Sequence, residues 1–596
     1  MNNQQIARIL HETAALLELD GAIIGRYRSY EKAADLIAGL PESVEQLCKT
    51  PEKLKELPGI GDRMVEHLQE ILTTGDYSLR AKLLKKYPPT ILDVLQVQSL
   101  GPKKVALLYK QFKAATIADI EQLAQDGKLR ELAGFGEKSE QNILKAIASF
   151  KRATGRFLIS TVEAAAEALC VHIKKGGKAV ASVTPAGSLR RGKETIGDLD
   201  LLVTLADGCT AQKHVDALAE HILTFPGIDQ KLAHGENKVS FTVRDGLQVD
   251  VRLLKRESFG AALLYFTGSK EHNVRLRGRA NDMGWTLNEY QLATLKDEKR
   301  VAGSTEEEIY SKLKLDFIPP ELRENAGEIE AAEQHKLPQL VERGEVRGDL
   351  QMHTTASDGK NSIEEMALAA RSIGHKYIAI TDHSKAVTVA NGLNEKRMLE
   401  QIKALRTADK SDLGIRVFVG SEVDILKDGK LDYPDEILAQ LDVVVCSVHS
   451  YMNLDAAEMT ERLLAAIENR YTQIIAHPTG RLLLRREAYP YNMEKVLDAC
   501  AKNGVAMECN SYPDRLDLRD VNLRMCKERG VKVVISTDAH STGHLPLIRY
   551  GVTTARRGWL SKADVLNTLP PEQFLAALRP KPGLAKAKPA GPNPNK

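Results

Sequence analysis

TPAGSLRRGKETIGDLDLLVT, residues 184–204, and LQVDVRLL, residues 247–254, are the two stretches on which the reading of this chain turns. Both read as β-strand, with apolar and β-branched residues alternating with polar ones. Asp198 and Asp200 stand two apart, so on a strand their carboxylates share a face. Asp250 interrupts an apolar run, where an unpartnered charge is strongly disfavoured. Three converging carboxylates suit a pair of Mg²⁺ or Mn²⁺ ions, which activate an attacking hydroxyl and stabilise a leaving phosphate oxygen. Gly187 and Ser188, ahead of Arg190 and Arg191, form a short turn able to cradle phosphates beside a guanidinium. Alone, DxD is most often a surface turn. With the GSLRRG turn before it and Asp250 after it, the site reading prevails.

Around this centre lie 596 residues, enough for about three to five domains. At 43% hydrophobic and 27% charged, the composition excludes collagen-like, low-complexity and wholly disordered chains. No uncharged apolar run approaches the roughly 18 residues of a membrane span, and the polar opening lacks the form of a signal peptide. A cytoplasmic protein without a membrane partner is expected. The seven cysteines form no CxxC pair, so reduced thiols are expected. A net charge of +3 imposes no global field, and any affinity for nucleic acid must come from local arrays. No apolar stripe demands a second copy, so a monomer is expected.

Toward the amino terminus the spacing predicts helices joined by glycine turns. LPGIGDRMVEHLQEIL (57–72), VQSLGPKKVALLYKQF (97–112) and LAGFGEKSEQNILKAI (132–147) repeat one form: an apolar residue, a tight turn, then an amphipathic helix. Glycine allows close approach of a backbone and leaves the NH groups of the next helix pointing outward, a phosphate-binding arrangement. The three resemble helix-hairpin-helix motifs, which hold a DNA backbone without reading bases. Their turn residues are Gly59, Ile60 and Gly61, then Leu100 and Gly101, then Gly134, Phe135 and Gly136.

Toward the carboxyl terminus, after a charged, proline-bounded connector at 318–346, six apolar runs alternate with helical stretches. That pattern predicts a parallel sheet or barrel. His383, Glu422, His449, His477, Asp538 and His540 end or follow these runs, where residues from different strands of a β/α barrel converge. Imidazole and carboxylate without cysteine suit Mn²⁺, Zn²⁺ or Fe²⁺. The tail RPKPGLAKAKPAGPNPNK reads as disordered.

The central segment resembles the palm of family X DNA polymerases, and YFTGSKEHNVRLRGRANDMGWTLNEY (265–290) is similar to that family's nucleotide-selection segment. The resemblance implies that Asp198, Asp200 and Asp250 are catalytic and hold two metal ions. It implies that Tyr265, Phe266 and Gly268 line the incoming nucleotide, that Asn273 meets the base edge and that Arg277 checks the template side. Gly187, Ser188, Arg191 and Arg156 would hold the triphosphate. GRYRSYEKAADLI and the first hairpin resemble the family's lyase domain, with Arg26, Tyr30 and Arg63 in a 5′-phosphate pocket. His67 stands where that family has its Schiff-base lysine, and imidazole does not perform that amine chemistry.

The carboxyl-terminal pattern is similar to the PHP (polymerase and histidinol phosphatase) family. The resemblance adds His353 and Asp358 to the ligand set and implies a cluster of two to three ions, while Gln351 replaces the family's first histidine. The implied architecture is an all-α helix-hairpin-helix region, an α+β nucleotidyltransferase palm with a thumb-like subdomain, and a distorted β/α barrel. Expected boundaries are 1–90 (lyase-like), 91–155 (second and third hairpins), 156–260 (palm), 261–317 (thumb-like), 318–346 (linker), 347–575 (PHP) and 576–596 (tail). The implied function is gap filling in DNA repair from dNTPs on gapped or primed DNA with a 5′-phosphate. A Mn²⁺-dependent 3′-5′ exonuclease accompanies it, with abasic-site endonuclease or 3′-phosphatase activity as further expectations. The alternatives are a non-DNA nucleotidyltransferase fused to a phosphoesterase, and a polymerase on a degenerate PHP scaffold.

Overall fold

Asp198 to Leu201 alternate polar and buried, which puts both carboxylates on one face of the strand, and from Leu201 onward the strand is buried throughout. The computed structural model describes residues 1–579 apart from 2, 39–43, 49–50, 56, 58, 98–99, 133, 154, 236 and 244–245. The greater part of the expected tail, 580–596, lies outside the described residues. The chain divides into two compact units, Met1–Thr154 with Leu484–Arg486, and Gly155–Leu483 with Glu487–Lys596.

The first unit is helical among its described residues. Helices α1 (Asn3–Leu19) and α2 (Ile24–Ala38) pair along a core of Ile6, Leu10, Leu17, Ala34 and Ile37. The three hairpin turns lead into α3 (Asp62–Thr74), α4 (Pro102–Phe112) and α5 (Glu137–Ala153). Each turn is built alike. The NH groups of Ile60, Leu100 and Phe135 donate to the carbonyls of Leu57, Val97 and Leu132 at 3.1, 3.1 and 3.0 Å, and all three side chains are buried.

The second unit holds a five-stranded sheet, β1 (Val180–Pro185), β2 (Asp198–Leu205), β3 (Ile228–Gly235), β4 (Lys238–Val243) and β5 (Gln248–Leu254), in the order β1-β2-β5-β4-β3. Only β2 and β5 run parallel, the other neighbours being antiparallel. Leu199, Leu201, Val239, Phe241, Val249 and Val251 form one face of a core completed by the helices Ile159–Lys174 and Gln212–Ile222. The carboxylates occupy the other face. Beyond the sheet come α6 (Phe259–Thr267), α7 (Lys270–Asp282) and a three-stranded sheet of Trp285–Leu287, Leu292–Thr294 and Arg300–Ala302.

The segment 318–346 is more than a tether. Leu322, Ile329, Ala332 and Leu340 join the thumb-side core. Fully buried Arg323 pairs with Glu306 and stacks on Tyr310 at 5.2 Å, and Glu328 pairs with His272 at 2.7 Å. Arg323 and Glu328 are thus internal partners, while Glu330, Glu333, Lys336, Glu342 and Arg343 remain exposed.

The barrel has seven parallel strands in sequential order, from Gly348–Asp349 through Tyr377–Ile380, Arg416–Asp424, Val443–Ser447, Ile474–Ile475 and Ala506–Asn510 to Val533–Ser536. Six match the predicted runs. The seventh, Gly348–Asp349, is two residues long and lies against the Tyr377 ring, where a Cβ on Gly348 would meet ring carbon at 2.2 Å. Asn567 bridges first strand to last, donating to the carbonyls of Gly348 and Ile535 at 2.7 Å each and accepting from Ile535 NH at 3.0 Å. The helix Pro571–Ala577 continues past the expected end at 575, and buried Phe574 and Leu578 close that flank.

Candidate active sites

In the parallel pairing of β2 and β5, Asp200 is directly beside Asp250, while Asp198 lies beside Gln248. Parallel neighbours in register present the same face, so the alternation that aligns Asp198 with Asp200 also brings in Asp250. Burial, and then the charges of Asp198 and Asp250, push the Asp200 carboxyl up to about 7. Asp250 is held below the usual range: burial opposes this, but Lys238 at 2.8 Å and the Ser240 hydroxyl at 2.6 Å favour its ionised form. Three carboxylates gathered on one face, one of them largely buried, leave negative charge that a divalent cation would compensate, so these residues fit a divalent metal.

The Gly187 turn lies directly against Asp200. Gly187, at φ +61°, approaches Asp200 so closely that a Cβ would stand 2.4 Å from Oδ2. Only glycine fits there. Ser188 follows in the helical turn Gly187–Arg190. Arg190 donates to Glu306 at 2.7 and 2.8 Å and to Thr267 Oγ1 at 2.8 Å. Arg191 Nε donates to Glu324 Oε1 at 3.0 Å, and its Nη1 to the Thr267 carbonyl. Gly268 lies against the same guanidinium, with a notional Cβ 3.1 Å from Nη1. Arg156 is exposed and donates to Thr195.

Tyr265, Asn273 and Arg277 line one pocket together with Ala261, Leu264, Leu287 and Asn288. The Asn273 amide donates to the Tyr265 carbonyl at 2.7 Å and braces α6 against α7. Phe266 is not in this pocket. It packs with Ala186, Leu202, Leu254 and Leu263, with the Arg252 guanidinium 4.6 Å from its ring centre. The two rings nevertheless stay in edge-to-face contact, with centroids 5.1 Å apart and planes at 74°.

In the first unit, buried Tyr30 stacks on His67 at 5.9 Å, its hydroxyl 3.3 Å from Nδ1. Arg26 and Arg63 both act on the Tyr30 hydroxyl, lowering its pKa against the larger effect of burial, which raises it. Burial, opposed by Glu70 and assisted by Arg63, also lowers His67. At Gly59, Gly61, Gly101, Gly134 and Gly136 a Cβ would meet nothing within 4 Å, so these turns face open space. Gly61 and Gly101 cap their helices without side-chain hydrogen bonds.

All eight expected barrel ligands gather at the carboxyl ends of the strands. His353, Asp358, His383 and His540 form one group with ligand atoms within 4.8 Å, His383, Glu422 and His449 a second, and His353, Glu422 and Asp538 a third. His477 joins through Glu422 at 2.9 Å. Buried Glu422 Oε2 and the Nδ1 atoms of His353, His383 and His477 make no hydrogen bond among the described residues, so the donor set fits metal ions. Against burial, His540, His353 and His383 draw Asp358 down to about 2, while Asp358 and Asp538 raise His540 to about 9.

Gln351 is fully buried there, and neither its Oε1 nor its Nε2 makes a hydrogen bond among the described residues. Sequence reasoning missed Glu508, Asp424 and Arg515. Glu508 accepts from His477 NH at 2.6 Å, and burial raises its carboxyl well above the usual range. Asp424 holds His449 Nδ1 at 3.0 Å, and Arg515 lies 3.4 Å from Asp538. Glu508 interrupts the apolar run GVAMECNS just as Asp250 interrupts its own, a signal available beforehand.

Known proteins are similar to this chain along most of its length. Family models match as a helix-hairpin-helix domain (1–77), a SAM-like helix-hairpin-helix tandem (91–149), a DNA polymerase beta palm (159–242), a DNA polymerase beta thumb (262–324) and a PHP domain (349–512). The chain is 36% identical over 569 residues to the DNA polymerase/3′-5′ exonuclease PolX of Bacillus subtilis (strain 168), spanning 95% of this chain and 97% of that one. It is 32% identical over 201 residues to a probable phosphatase of Acetivibrio thermocellus, spanning 32% of this chain and 78% of the relative. A crystal structure of Leishmania infantum polymerase beta in a ternary complex matches 39% of this chain and 98% of its own at 23% identity, with a TM-score of 0.27. The chain belongs to the family X DNA polymerases that carry a carboxyl-terminal PHP domain. No helix among the described residues is long and apolar enough to cross a membrane.

Proposed function

We propose that the chain fills short gaps in DNA during base-excision or end repair, and that its barrel removes nucleotides from 3′ ends. The observation that carries the reading is the register placing Asp200 beside Asp250, beneath the Gly187 turn. The reaction is attack of a primer 3′-hydroxyl on the α-phosphate of a dNTP, with release of pyrophosphate. Asp198, Asp200 and Asp250 would hold two divalent cations, Mg²⁺ or Mn²⁺, which when bound supply positive charge for the attacking and departing oxygens. Asp250, kept ionised by Lys238 and Ser240, is our choice to take the primer proton. Gly187, Ser188 and Arg191, with Arg156 at the flank, would hold the triphosphate. Tyr265, Asn273 and Arg277 would bound the nascent base pair, with Phe266 supporting from behind. Arg26, Tyr30 and Arg63 would bind the 5′-phosphate of the gap, and the three hairpins its backbone.

In the barrel, His353, Asp358, His383, Glu422, His449, His477, Asp538 and His540 would hold two to three Mn²⁺, Zn²⁺ or Fe²⁺ ions, whose charge polarises a scissile phosphate when bound. The name of the Bacillus subtilis relative pairs polymerase with 3′-5′ exonuclease, and that of the Acetivibrio thermocellus relative fits phosphoester hydrolysis by the barrel alone. Abasic-site incision and 3′-phosphate removal would use the same chemistry. The test is extension across one-nucleotide-gapped DNA beside 3′ degradation in Mn²⁺. Asp200→Ala should stop extension and spare degradation, and His383→Ala should do the reverse. Extension by Asp200→Ala would overturn the palm assignment.

A further inference from the structure

The turn that carries Ser188 and Arg191 is walled on one side by the barrel. Gly192, at φ +66°, lies so close to the barrel helix α8 (Ile548–Arg557) that a Cβ would stand 2.1 Å from Thr553 Cγ2. From the end of that helix, buried Arg557 reaches across the boundary. Its Nη1 donates to the main-chain carbonyl of Arg191 at 2.7 Å and to Glu324 Oε1 at 3.0 Å. Its Nε and Nη2 are anchored on Asp520 at 3.0 and 2.6 Å. The same Glu324 oxygen accepts from Arg191 Nε at 3.0 Å and lies 3.9 Å from Lys193.

One carboxylate therefore serves both an arginine of the phosphate turn and an arginine of the barrel. A half-buried carboxylate resists losing its last close cation, because the remaining charge is poorly solvated. When Arg191 turns toward a triphosphate, Glu324 keeps Arg557. Without Arg557, Arg191 would be the only close hydrogen-bonding cation left to Glu324, and the carboxylate would compete with the triphosphate for it. Asp520 keeps Arg557 itself compensated throughout.

We infer that Arg557 is a positioning residue for nucleotide binding: it holds Glu324 so that Arg191 is released to the triphosphate, which ties the barrel to the polymerase site. The inference rests on Arg191 being a triphosphate contact. The test measures kcat and KM for dTTP opposite template adenine in a one-nucleotide gap, using the full-length chain. Arg557→Gln raises KM about tenfold or more, with kcat changed less than about threefold. Glu324→Gln lowers KM, and the double variant behaves like Glu324→Gln, because no carboxylate remains to retain Arg191.

A purely structural role predicts instead that both substitutions raise KM and that their effects add, which would overturn the inference. Should Arg557→Gln fail to fold, Glu324→Gln decides by itself: a lowered KM supports the inference and a raised one sinks it. Arg191→Ala separates the two readings. If it leaves KM unchanged, the triphosphate reading falls and this inference with it; if it raises KM while Arg557→Gln does not, this inference alone falls.

Discussion

Asp200→Asn should stabilise the metal-free central sheet at alkaline pH while ending synthesis. The wild-type carboxyl titrates near 7 rather than at its ordinary 3.8. At about 1.4 kcal/mol per pH unit, that difference corresponds to about 4 kcal/mol against the ionised form, and partial exposure reduces it to about 2. Between the two values the folded chain holds a proton that the unfolded chain has released. Stability therefore falls as pH rises through this window, and the loss is complete above 7. Asn keeps the shape and removes the charge. Hydrogen exchange at pH 8 in EDTA should show the β2 and β5 amides opening about 30-fold less often in the variant. The gap should narrow at pH 5, and Mg²⁺ should protect the wild type alone. Exchange in Asp200→Asn as fast as in the wild type at pH 8 without metal would refute the reasoning.

Other outcomes follow from the same geometry. Gln351→His should add a ligand where a buried amide now lacks partners, raising the Mn²⁺ retained per chain after dialysis and quickening 3′ degradation; unchanged metal content would count against it. Gly61→Val, whose side chain would enter open space, should leave the melting temperature within about 2 °C and weaken gapped-DNA binding several-fold by anisotropy; unaltered binding would remove that hairpin from the interface. Borohydride should trap no abasic-DNA adduct on residues 1–90, because a neutral imidazole at position 67 offers no amine; an adduct mapped there by mass spectrometry would contradict this.

The palm was legible because strand periodicity places Asp198 and Asp200 on one face and leaves Asp250 conspicuous among aliphatic residues. The register joining them was not, since pairing of strands some fifty residues apart depends on the sheet as a whole. Six of the eight residues that cluster in the barrel were legible as polar residues closing apolar runs, whereas His353 and Asp358 entered only through the family resemblance. Gly348–Asp349 escaped because two residues carry no period. The charges at 318–346 looked like a solvated connector, whereas Arg323 and Glu328 find Glu306 and His272 only once the chain is folded. Tyr265 and Phe266 looked like a pair and do pack edge to face, but only Tyr265 lines the pocket while Phe266 joins the core beside Ala186 and Leu202.

A catalytic trio of Asp198, Asp200 and Asp250 is tested most directly by single-turnover incorporation of dTTP into one-nucleotide-gapped DNA by Asp198→Ala and Asp250→Ala, with DNA affinity measured alongside. Incorporation should drop about 100-fold or more in each variant while gapped-DNA binding stays within about threefold. Incorporation at the wild-type rate by either variant would contradict that assignment.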